Sequence, residues 1–365
     1  MKKILHIINS LDTGGAEASL LRIINNDKKN SIHKIILLRK GFSILKKNKK
    51  NYENIHYVYH FNYFTIIFYF IHLVFVIRKY NPDTLCCWMY HSCIIGGLAA
   101  KLNNFKKIFW LVRHNDPKGK YLNARTKFSM FVFKILSFLV PDTIIYNSSK
   151  SLVSHKKYGV NQKVKNIFIP NGYEYYPSLA KKNLDKSKVV FANICRWDKQ
   201  KNHMLLLESL SIFQENNPNI EWLMVMGGSK VDNNNKVLIE KIKNLKLNKR
   251  VKLVGEIVKI NEIFSSVDFY IQSSTDESFP NIVAEAMLYN TPVIGTNVGD
   301  TSSIISKFGW LTTLERNNIA ENIQKAVNYR NNDLKWRAIK NQASDHIINN
   351  FSINKTIEKF YSLWN

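Results

Sequence analysis

The sequence predicts an α/β protein with two Rossmann-like domains, and three observations support this prediction. At 365 residues the chain is long enough for two domains, each with its own core. Short β-branched runs alternate with helical patterns, which favours βαβ units and a parallel sheet. The alternation occurs twice, on either side of a polar segment at residues 173–187. We therefore expect an N-terminal domain at residues 1–172, a linker, and a C-terminal domain at residues 188–350.

Seven strands are predicted in the first domain and five in the second, with helices in the intervals. In the first domain the strands are expected at residues 4–8, 34–38, 55–59, 84–88, 107–112, 143–146 and 166–169. In the second domain they are expected at residues 189–195, 221–226, 251–254, 268–272 and 292–295. Within residues 351–365 the apolar side chains fall on one helical face, so a final helix is predicted there.

The composition indicates a globular protein in a reducing compartment. Hydrophobic amino acids make up 45% of the chain, too large a share for a disordered protein. The cysteines, at positions 86, 87, 93 and 195, have no C-x-x-C or zinc-binding spacing and are typical of free thiols. The first apolar run, residues 4–8, is too short for the core of a signal peptide. A cytoplasmic protein is therefore expected.

The net charge of +26 is concentrated in the first half of the chain. Residues 1–187 contain 31 Lys and Arg against 9 Asp and Glu, whereas residues 188–365 contain 22 against 18. This asymmetry predicts an anionic partner for the first domain. A membrane surface or a lipid-phosphate acceptor fits as well as nucleic acid. Because the chain has no recognisable nucleic-acid-binding motif, we expect no nucleic acid.

Residues 61–77 are a 17-residue stretch without Lys, Arg, Asp or Glu. Their length is at the lower limit for spanning a bilayer, and the stretch contains Asn62 and His72. It also falls between a strand and a turn, where a Rossmann helix is required. A helix packed on the sheet is therefore favoured, while a helix on a membrane surface and a true span stay open as alternatives.

Residues 275–300 are predicted to carry the chemistry. They are typical of a strand end, a loop, a short helix and a second strand. Pro280 favours a helix start, because its missing N–H would be unpaired there in any residue. Glu277 precedes this helix, and Glu285 lies on it at the edge of the apolar face. Both carboxylates therefore face the end of the sheet at which open α/β folds bind ligands.

The run ESFPNIVAEAM contains Glu277 and Glu285 and is followed by TPVIGTNVGD. Together these segments resemble the signature of the retaining GT-B glycosyltransferases of the family-4 type, the glycosyl transferases group 1. The resemblance implies two Rossmann-like domains facing each other across a crevice, with a C-terminal helix that crosses back to the first domain. It implies that Glu285 binds the ribose hydroxyls of a nucleotide-sugar donor and that Glu277 contacts the donor sugar. Further donor contacts are implied for Ser278, Phe279, Pro280, Asn281 and Ile282.

Residues 193–202, NICRWDKQKN, are similar to the family segment G-R-L-x-x-x-K-G/N. Cys195 stands where glycine is usual, and Trp197 stands where leucine is usual. Arg196 and Lys201 match the pair that holds the donor diphosphate. These residue types suit the task, because charge-assisted donors stabilise a leaving diphosphate efficiently. A solvated basic pair is the alternative.

Glycine-rich turns and one histidine complete the predicted site. Gly14 and Gly15 open a helix after the first strand, where free N–H groups attract phosphate, although a turn without a ligand is the alternative. Gly227 ends a strand of the second domain, and Ile257 belongs to a turn that matches the family's base-binding turn. His114, at a strand end, resembles the family histidine that contacts the donor sugar.

The sequence also predicts a reaction without a metal or other cofactor. No two of its aspartates have the D-x-D spacing of the other large glycosyltransferase fold, and no His/Cys cluster has metal-binding spacing. Arg196 and Lys201 are expected to take the role of the cation. Retention follows from the resemblance only, which implies attack on the face from which the diphosphate departs, with the leaving phosphate as base. Glu277 as a covalent nucleophile is the alternative.

A glycosyltransferase is thus predicted that moves a sugar from a UDP- or GDP-sugar to a glycan or a polyprenyl-phosphate-linked acceptor. The expected setting is the synthesis of a cell-surface polysaccharide, such as a capsule, O-antigen or lipopolysaccharide. The protein is expected on the inner face of the plasma membrane, bound peripherally through its basic first domain. The alternatives are a GT-B-fold sugar-nucleotide epimerase or hydrolase, and a basic nucleic-acid-binding protein.

Overall fold

The computed structural model describes residues 1–12, 14–28, 31–41, 55–57, 66–119, 122–175 and 187–364. The chain forms two compact units, each built around one sheet. The first unit comprises Met1–Gly172 and Ile353–Asn365, and the second comprises Tyr173–Ser352. Most of the predicted linker, residues 176–186, lies outside the described residues.

The sheet of the first unit has parallel strands whose apolar residues are buried on both faces. The strands are β1 (Lys3–Ile8), β2 (Ile32–Leu37), β3 (Ile55–Tyr57), β4 (Thr84–Trp88), β5 (Ile108–Val112), β6 (Thr143–Tyr146) and β7 (Lys165–Phe168). Their order is β3-β2-β1-β4-β5-β6-β7. The register pairs Ile4 with Thr84 and Leu85 with Ile108, so β1 and β4 occupy the centre.

Helices cover both faces of this sheet. They include α1 (Gly15–Asn25), α2 (Ile66–Tyr80), α3 (Met89–Leu102), α4 (Ala124–Leu136) and α5 (Ser149–Tyr158). On one face α2, α3 and α4 close a core around Leu85 and Trp110. On the other face α1 packs over a core that includes Ile4 and Trp88.

The second unit repeats this design with a smaller parallel sheet. Its strands are β8 (Lys188–Ile194), β9 (Glu221–Gly227), β10 (Val251–Leu253), β11 (Phe269–Gln272), β12 (Val293–Thr296) and β13 (Trp310–Thr312). Their order is β10-β9-β8-β11-β12-β13. Its helices are α6 (His203–Asn216), α7 (Lys236–Asn244), α8 (Ile260–Phe264), α9 (Asn281–Leu288), α10 (Thr301–Ile305), α11 (Arg316–Arg330) and α12 (Asp333–Asn350), and Lys199–Lys201 form a short 3-10 helix.

The last helix, α13 (Ile353–Trp364), belongs to the first unit, as predicted. Its apolar face buries Ile357, Phe360 and Trp364 in the core that lies beneath α1. Polar bonds reinforce the contact: Lys107 Nζ donates to the Trp364 carbonyl at 3.3 Å. The predicted α/β class, with two parallel sheets and a returning C-terminal helix, is therefore confirmed.

Three local predictions need correction or qualification. The short strand β13 was not predicted. Helix α9 begins at Asn281 rather than Pro280, because Pro280 has an extended ψ of 96°, and α9 ends at Leu288 rather than near Asn290. The described part of residues 61–77 lies in α2, where Leu73 and Ile77 are buried against the sheet. Among the helices of the described ranges, none combines the length and the apolar character that crossing a bilayer requires.

Candidate active site

The candidate site of the second unit lies where the strand order of its sheet reverses. From β8 the chain continues outward to β9 and β10 and then returns to β11 on the other side of β8. The carboxyl ends of β8 and β11 therefore flank the position at which open α/β sheets bind ligands. The segment after β8 contains Arg196 and Lys201, and the segment after β11 contains Glu277.

Lys201 and Glu277 form an ion pair across these two segments. Lys201 Nζ lies 2.5 Å from Glu277 Oε1, and the two side chains are only 18% and 14% exposed. Ser274 Oγ donates to the same carboxylate oxygen at 2.7 Å. Burial lowers the pKa of Lys201, but the attraction of Glu277 outweighs it, so the pKa is raised above its ordinary value. Lys201 is therefore a lasting positive charge at the carboxyl end of the sheet.

Backbone contacts hold the Glu277 segment on two sides. Thr275 N donates to the Gln200 carbonyl at 2.7 Å, which joins the segment to the loop after β8. On the other side lies Gly299, whose φ is 50°. A Cβ on Gly299 would lie 1.9 Å from the Glu277 carbonyl oxygen. Only glycine allows both this conformation and this close approach, so Gly299 helps to fix the path of the Glu277 backbone.

Arg196 is the exposed cation of the site. Its side chain is 59% exposed, and its Nε donates to Asp198 Oδ2 at 3.2 Å. The other oxygen of Asp198 accepts from Gln200 N at 2.9 Å and caps the 3-10 helix that leads to Lys201. The site thus combines a shielded ammonium with a solvent-facing guanidinium. Among the described residues, no group of three or more His, Cys, Asp or Glu is arranged to hold a metal ion.

Cys195 occupies the position at which the family pattern has glycine. Its Sγ lies 3.3 Å from His203 Nε2 and 3.3 Å from Asn193 Oδ1. Burial raises the pKa of Cys195 to about 12 and lowers the pKa of His203 to about 4. Both groups are therefore neutral at neutral pH, which argues against Cys195 as a nucleophile. Cys195 N donates to the Gly227 carbonyl at 2.9 Å, so the backbone continues regularly from β8.

The turns after β8, β9 and β10 pack closely together. Gly228 has a φ of 133°, and a Cβ there would lie 2.2 Å from the Cys195 carbonyl oxygen, so glycine is required. Gly228 N donates to the Gly255 carbonyl at 2.7 Å. A Cβ on Gly227 would lie 2.5 Å from Ile257 Cδ1. The structure thus brings the predicted residues Gly227 and Ile257 together at this edge of the sheet.

The remaining predicted donor residues surround the start of α9. They are buried or half-buried: Ser278, Phe279, Pro280, Asn281 and Ile282. The Asn281 side chain accepts a hydrogen bond from the Tyr173 hydroxyl at 2.6 Å. Glu285 is half-buried and lies four residues after Asn281, so the two share one face of α9.

The predicted residues of the first unit lie at the carboxyl edge of its own sheet. Gly14 caps the start of α1 after β1, and Gly15 is the first residue of that helix. His114 follows β5, and its ring stacks on Tyr90 with centroids 5.8 Å apart and an interplanar angle of 8°. Ser151 Oγ donates to the His114 carbonyl at 2.5 Å. This packing fixes the position of His114.

Three residues of the site were missed by sequence reasoning: Ser274, Gly299 and Tyr173. Ser274 stands three residues before Glu277, the spacing at which a hydroxyl and a carboxylate often interact around a helix start, so a local signal existed. Gly299 lies in the recognised TNVGD run, but its role depends on a close approach between distant segments. Tyr173 gave no signal because its partner Asn281 is 108 residues away.

Comparison with known proteins agrees with this geometry. Residues 177–344 match the model of the family described as glycosyl transferases group 1. The chain is 27% identical over 317 residues to the capsular polysaccharide biosynthesis glycosyltransferase CapH of Staphylococcus aureus, covering 84% of this chain and 85% of CapH.

Solved structures share the fold at low sequence identity. Anabaena HepE, crystallised in complex with UDP and glucose, superposes with a TM-score of 0.82 at 18% identity, covering 99% of each chain. TarM of Staphylococcus aureus superposes with a TM-score of 0.76 at 14% identity, covering 100% of each chain. The predicted GT-B fold is confirmed by these structures. The chain is therefore a glycosyltransferase with the GT-B fold, and its residues 177–344 belong to the glycosyl transferases group 1 family.

Proposed function

We propose that this chain is a retaining hexosyltransferase of the family-4 type that uses a UDP- or GDP-sugar as donor. The proposed acceptor is a glycan or a polyprenyl-phosphate-linked sugar, and the proposed reaction needs no metal. The observation that carries the proposal is the ion pair between Lys201 and Glu277 at the point where the strand order reverses. It places a shielded cation and a carboxylate where such sheets bind ligands.

Lys201 and Arg196 are proposed to bind the donor diphosphate. As the sugar leaves, negative charge grows on the diphosphate, and fixed N–H donors with positive charge stabilise it. Lys201 suits this role because its pKa is raised, which keeps it charged. Arg196 suits it because an exposed guanidinium presents two donors in one plane. The N-terminus of α9, at Asn281, adds backbone N–H groups that favour an anion.

Glu277 is proposed to position the donor sugar through its hydroxyls. Its Oε1 already accepts from Lys201 and Ser274, so the carboxylate is held in one orientation. An ion-paired and hydrogen-bonded carboxylate is a weakened nucleophile, which favours the mechanism with the leaving phosphate as base over a covalent intermediate. Glu285, further along α9, is proposed to bind the ribose hydroxyls.

The names of similar proteins support the choice of donor and pathway. HepE was crystallised with UDP and glucose, and also with UDP-glucose, which supports a uridine nucleotide donor for this chain. CapH is named for capsular polysaccharide biosynthesis, which supports a cell-surface polysaccharide as the product. We propose that the chain acts in such a pathway, in the cytoplasm and peripherally on the inner face of the plasma membrane.

The test is a donor panel with product analysis. The purified protein is incubated with UDP-, GDP- and ADP-sugars in EDTA, with and without polyprenyl-phosphate-linked acceptors. We expect release of nucleotide that depends on the acceptor, and a product whose anomeric proton coupling in NMR matches that of the donor. An inverted anomer contradicts retention. Loss of turnover in EDTA that Mg²⁺ or Mn²⁺ restores contradicts metal independence, and equal nucleotide release without any acceptor indicates a hydrolase.

A further inference from the structure

Helix α2 exposes apolar side chains on the face that points away from the sheet. The exposed residues Ile67, Phe68, Ile71 and Phe75 recur at helical spacing, whereas Leu73 on the opposite side is buried. The same outward face ends in the exposed basic residues Arg78 and Lys79. The usual arrangement for a surface helix is the reverse, with polar residues outward. This face is therefore unusual for a surface exposed to water.

The two neighbouring helices continue this apolar surface. Helix α3 packs against α2 on one side and against α4 on the other. On α3 the outward residue Leu102 is exposed, and Ile94, Ile95 and Leu98 are half-buried. On and just after α4 the exposed apolar residues are Phe128, Phe131, Ile135, Phe138 and Leu139. Contiguous apolar surface spread over three helices is a mark of an interaction site.

The charge around this surface has one sign. Residues 61–141 contain only two acidic residues, Asp83 and Asp116. The same range contains eleven basic residues: Arg78, Lys79, Lys101, Lys106, Lys107, Arg113, Lys118, Lys120, Arg125, Lys127 and Lys134. An apolar face bordered by lysine and arginine fits an anionic lipid surface, because the apolar side chains enter the acyl region while the cations meet the headgroups.

We infer that the outward faces of α2, α3 and α4 form one surface that docks on an anionic phospholipid bilayer. This inference rests on the proposed membrane association and deepens it by naming the surface. The placement also suits a lipid-linked acceptor. In a βαβ unit each helix starts at the carboxyl edge of the sheet, so Phe68 and Phe128, near the starts of α2 and α4, lie at the edge that holds His114.

The test is the binding of the full chain to vesicles by cosedimentation. Vesicles of phosphatidylglycerol are compared with vesicles of phosphatidylcholine, at low and high salt. The surface variant is Phe68→Ser with Phe128→Ser, whose native side chains are 73% and 67% exposed, so folding is not at risk. The matched control is Leu334→Ser with Val237→Ser, two exposed apolar residues of the second unit.

We expect binding to phosphatidylglycerol vesicles that weakens with salt, because salt screens the headgroup charge. The surface variant should bind about tenfold more weakly or less, since each phenylalanine loses its apolar transfer into the bilayer. The control should bind like the unchanged protein. Equal binding of the surface variant, or no binding by the unchanged protein, overturns the inference. So does light scattering that shows a dimer which the surface variant converts to a monomer, because a second copy would then cover the face.

A donor titration without vesicles separates this inference from the proposed function. UDP binding by the surface variant at the same affinity as the unchanged protein, together with lost vesicle binding, supports the docking surface. Intact UDP binding by an unchanged protein that ignores vesicles refutes the surface alone. Vesicle binding by a protein that binds no nucleotide refutes the proposed donor site alone.

Discussion

Lys201 and Glu277 lie 76 residues apart in the sequence, yet their charged groups meet at 2.5 Å between the loops that follow β8 and β11. The contact depends on the sheet order, which makes these two strands neighbours although the chain visits β9 and β10 between them. It also gives each residue a defined partner. In the proposed reaction Lys201 serves the diphosphate and Glu277 serves the sugar, so the pair links the two parts of the donor.

The substitution Glu277→Gln should lower kcat strongly while free UDP still binds. Glu277 is assigned to the sugar, and the loss of charged hydrogen bonds to it should reduce transfer on the order of 100-fold. Lys201 stays in place and loses a competing anion, so UDP binding should be unchanged or tighter. Steady-state kinetics and UDP titration measure the two effects. Glu262→Gln, which breaks the exposed pair with Lys259, is the control and should change neither. Lost UDP binding would move Glu277 to the nucleotide.

The substitution Glu285→Gln should raise the donor KM by about tenfold or more, because one charged acceptor for the ribose hydroxyls is lost. Product stereochemistry should not change, since Glu285 is not assigned to the reacting carbon. Donor KM and anomeric NMR of the product are the measurements. Glu321→Gln, on an exposed face of the same unit, is the control. An unaltered donor KM would show that the ribose assignment is wrong.

The substitution Gly299→Ala should damage the donor site through the backbone of Glu277. Its φ of 50° and the 1.9 Å approach of a Cβ to the Glu277 carbonyl oxygen force that segment to move. Gly159→Ala is the matched control, because Gly159 also has a positive φ, of 93°, but lies in the first unit. Both variants should lose about 1 kcal/mol or more of stability from left-handed strain. Only Gly299→Ala should raise the donor KM; equal KM values would refute the positioning role.

Stability should fall as the pH is lowered from neutral. Burial lowers the pKa of His155 and of His203 from 6.5 to about 4 in the folded protein. The unfolded chain therefore binds more protons between these values, and each unit of pKa difference is worth about 1.4 kcal/mol. The contribution is fully present above pH 6.5 and is lost as the pH falls toward 4. Urea midpoints at pH 7.5, 6 and 5 measure it, and a flat profile would contradict the buried neutral state.

The fold could be predicted closely because its signals are local. Buried strands such as β4 and β6 consist of short apolar runs, and their predicted bounds agree with the structure. Strand β13 was missed because its three residues are largely half-buried or exposed and form no apolar run. The C-terminal helix was located by the one-sided apolar pattern that Phe360 and Trp364 complete.

The candidate site could be predicted only as separate residues. Motif resemblance pointed to Lys201 and Glu277 but assigned them to different parts of the donor, and their ion pair follows only from the adjacency of β8 and β11. Ring stacking of His114 on Tyr90 likewise depends on the packing of distant segments. The roles of these residues in catalysis stay predictions.

The most direct test is calorimetric titration of UDP and GDP into the unchanged protein and into Lys201→Met. The control is Lys199→Met, which removes an exposed lysine from the same 3-10 helix. We predict that one nucleotide binds the unchanged protein and the control equally, and that Lys201→Met binds it about 10- to 100-fold more weakly, because a charged bond to the diphosphate is lost. Equal affinity of all three proteins, or no nucleotide binding by any, would contradict the assignment of the donor site to Lys201.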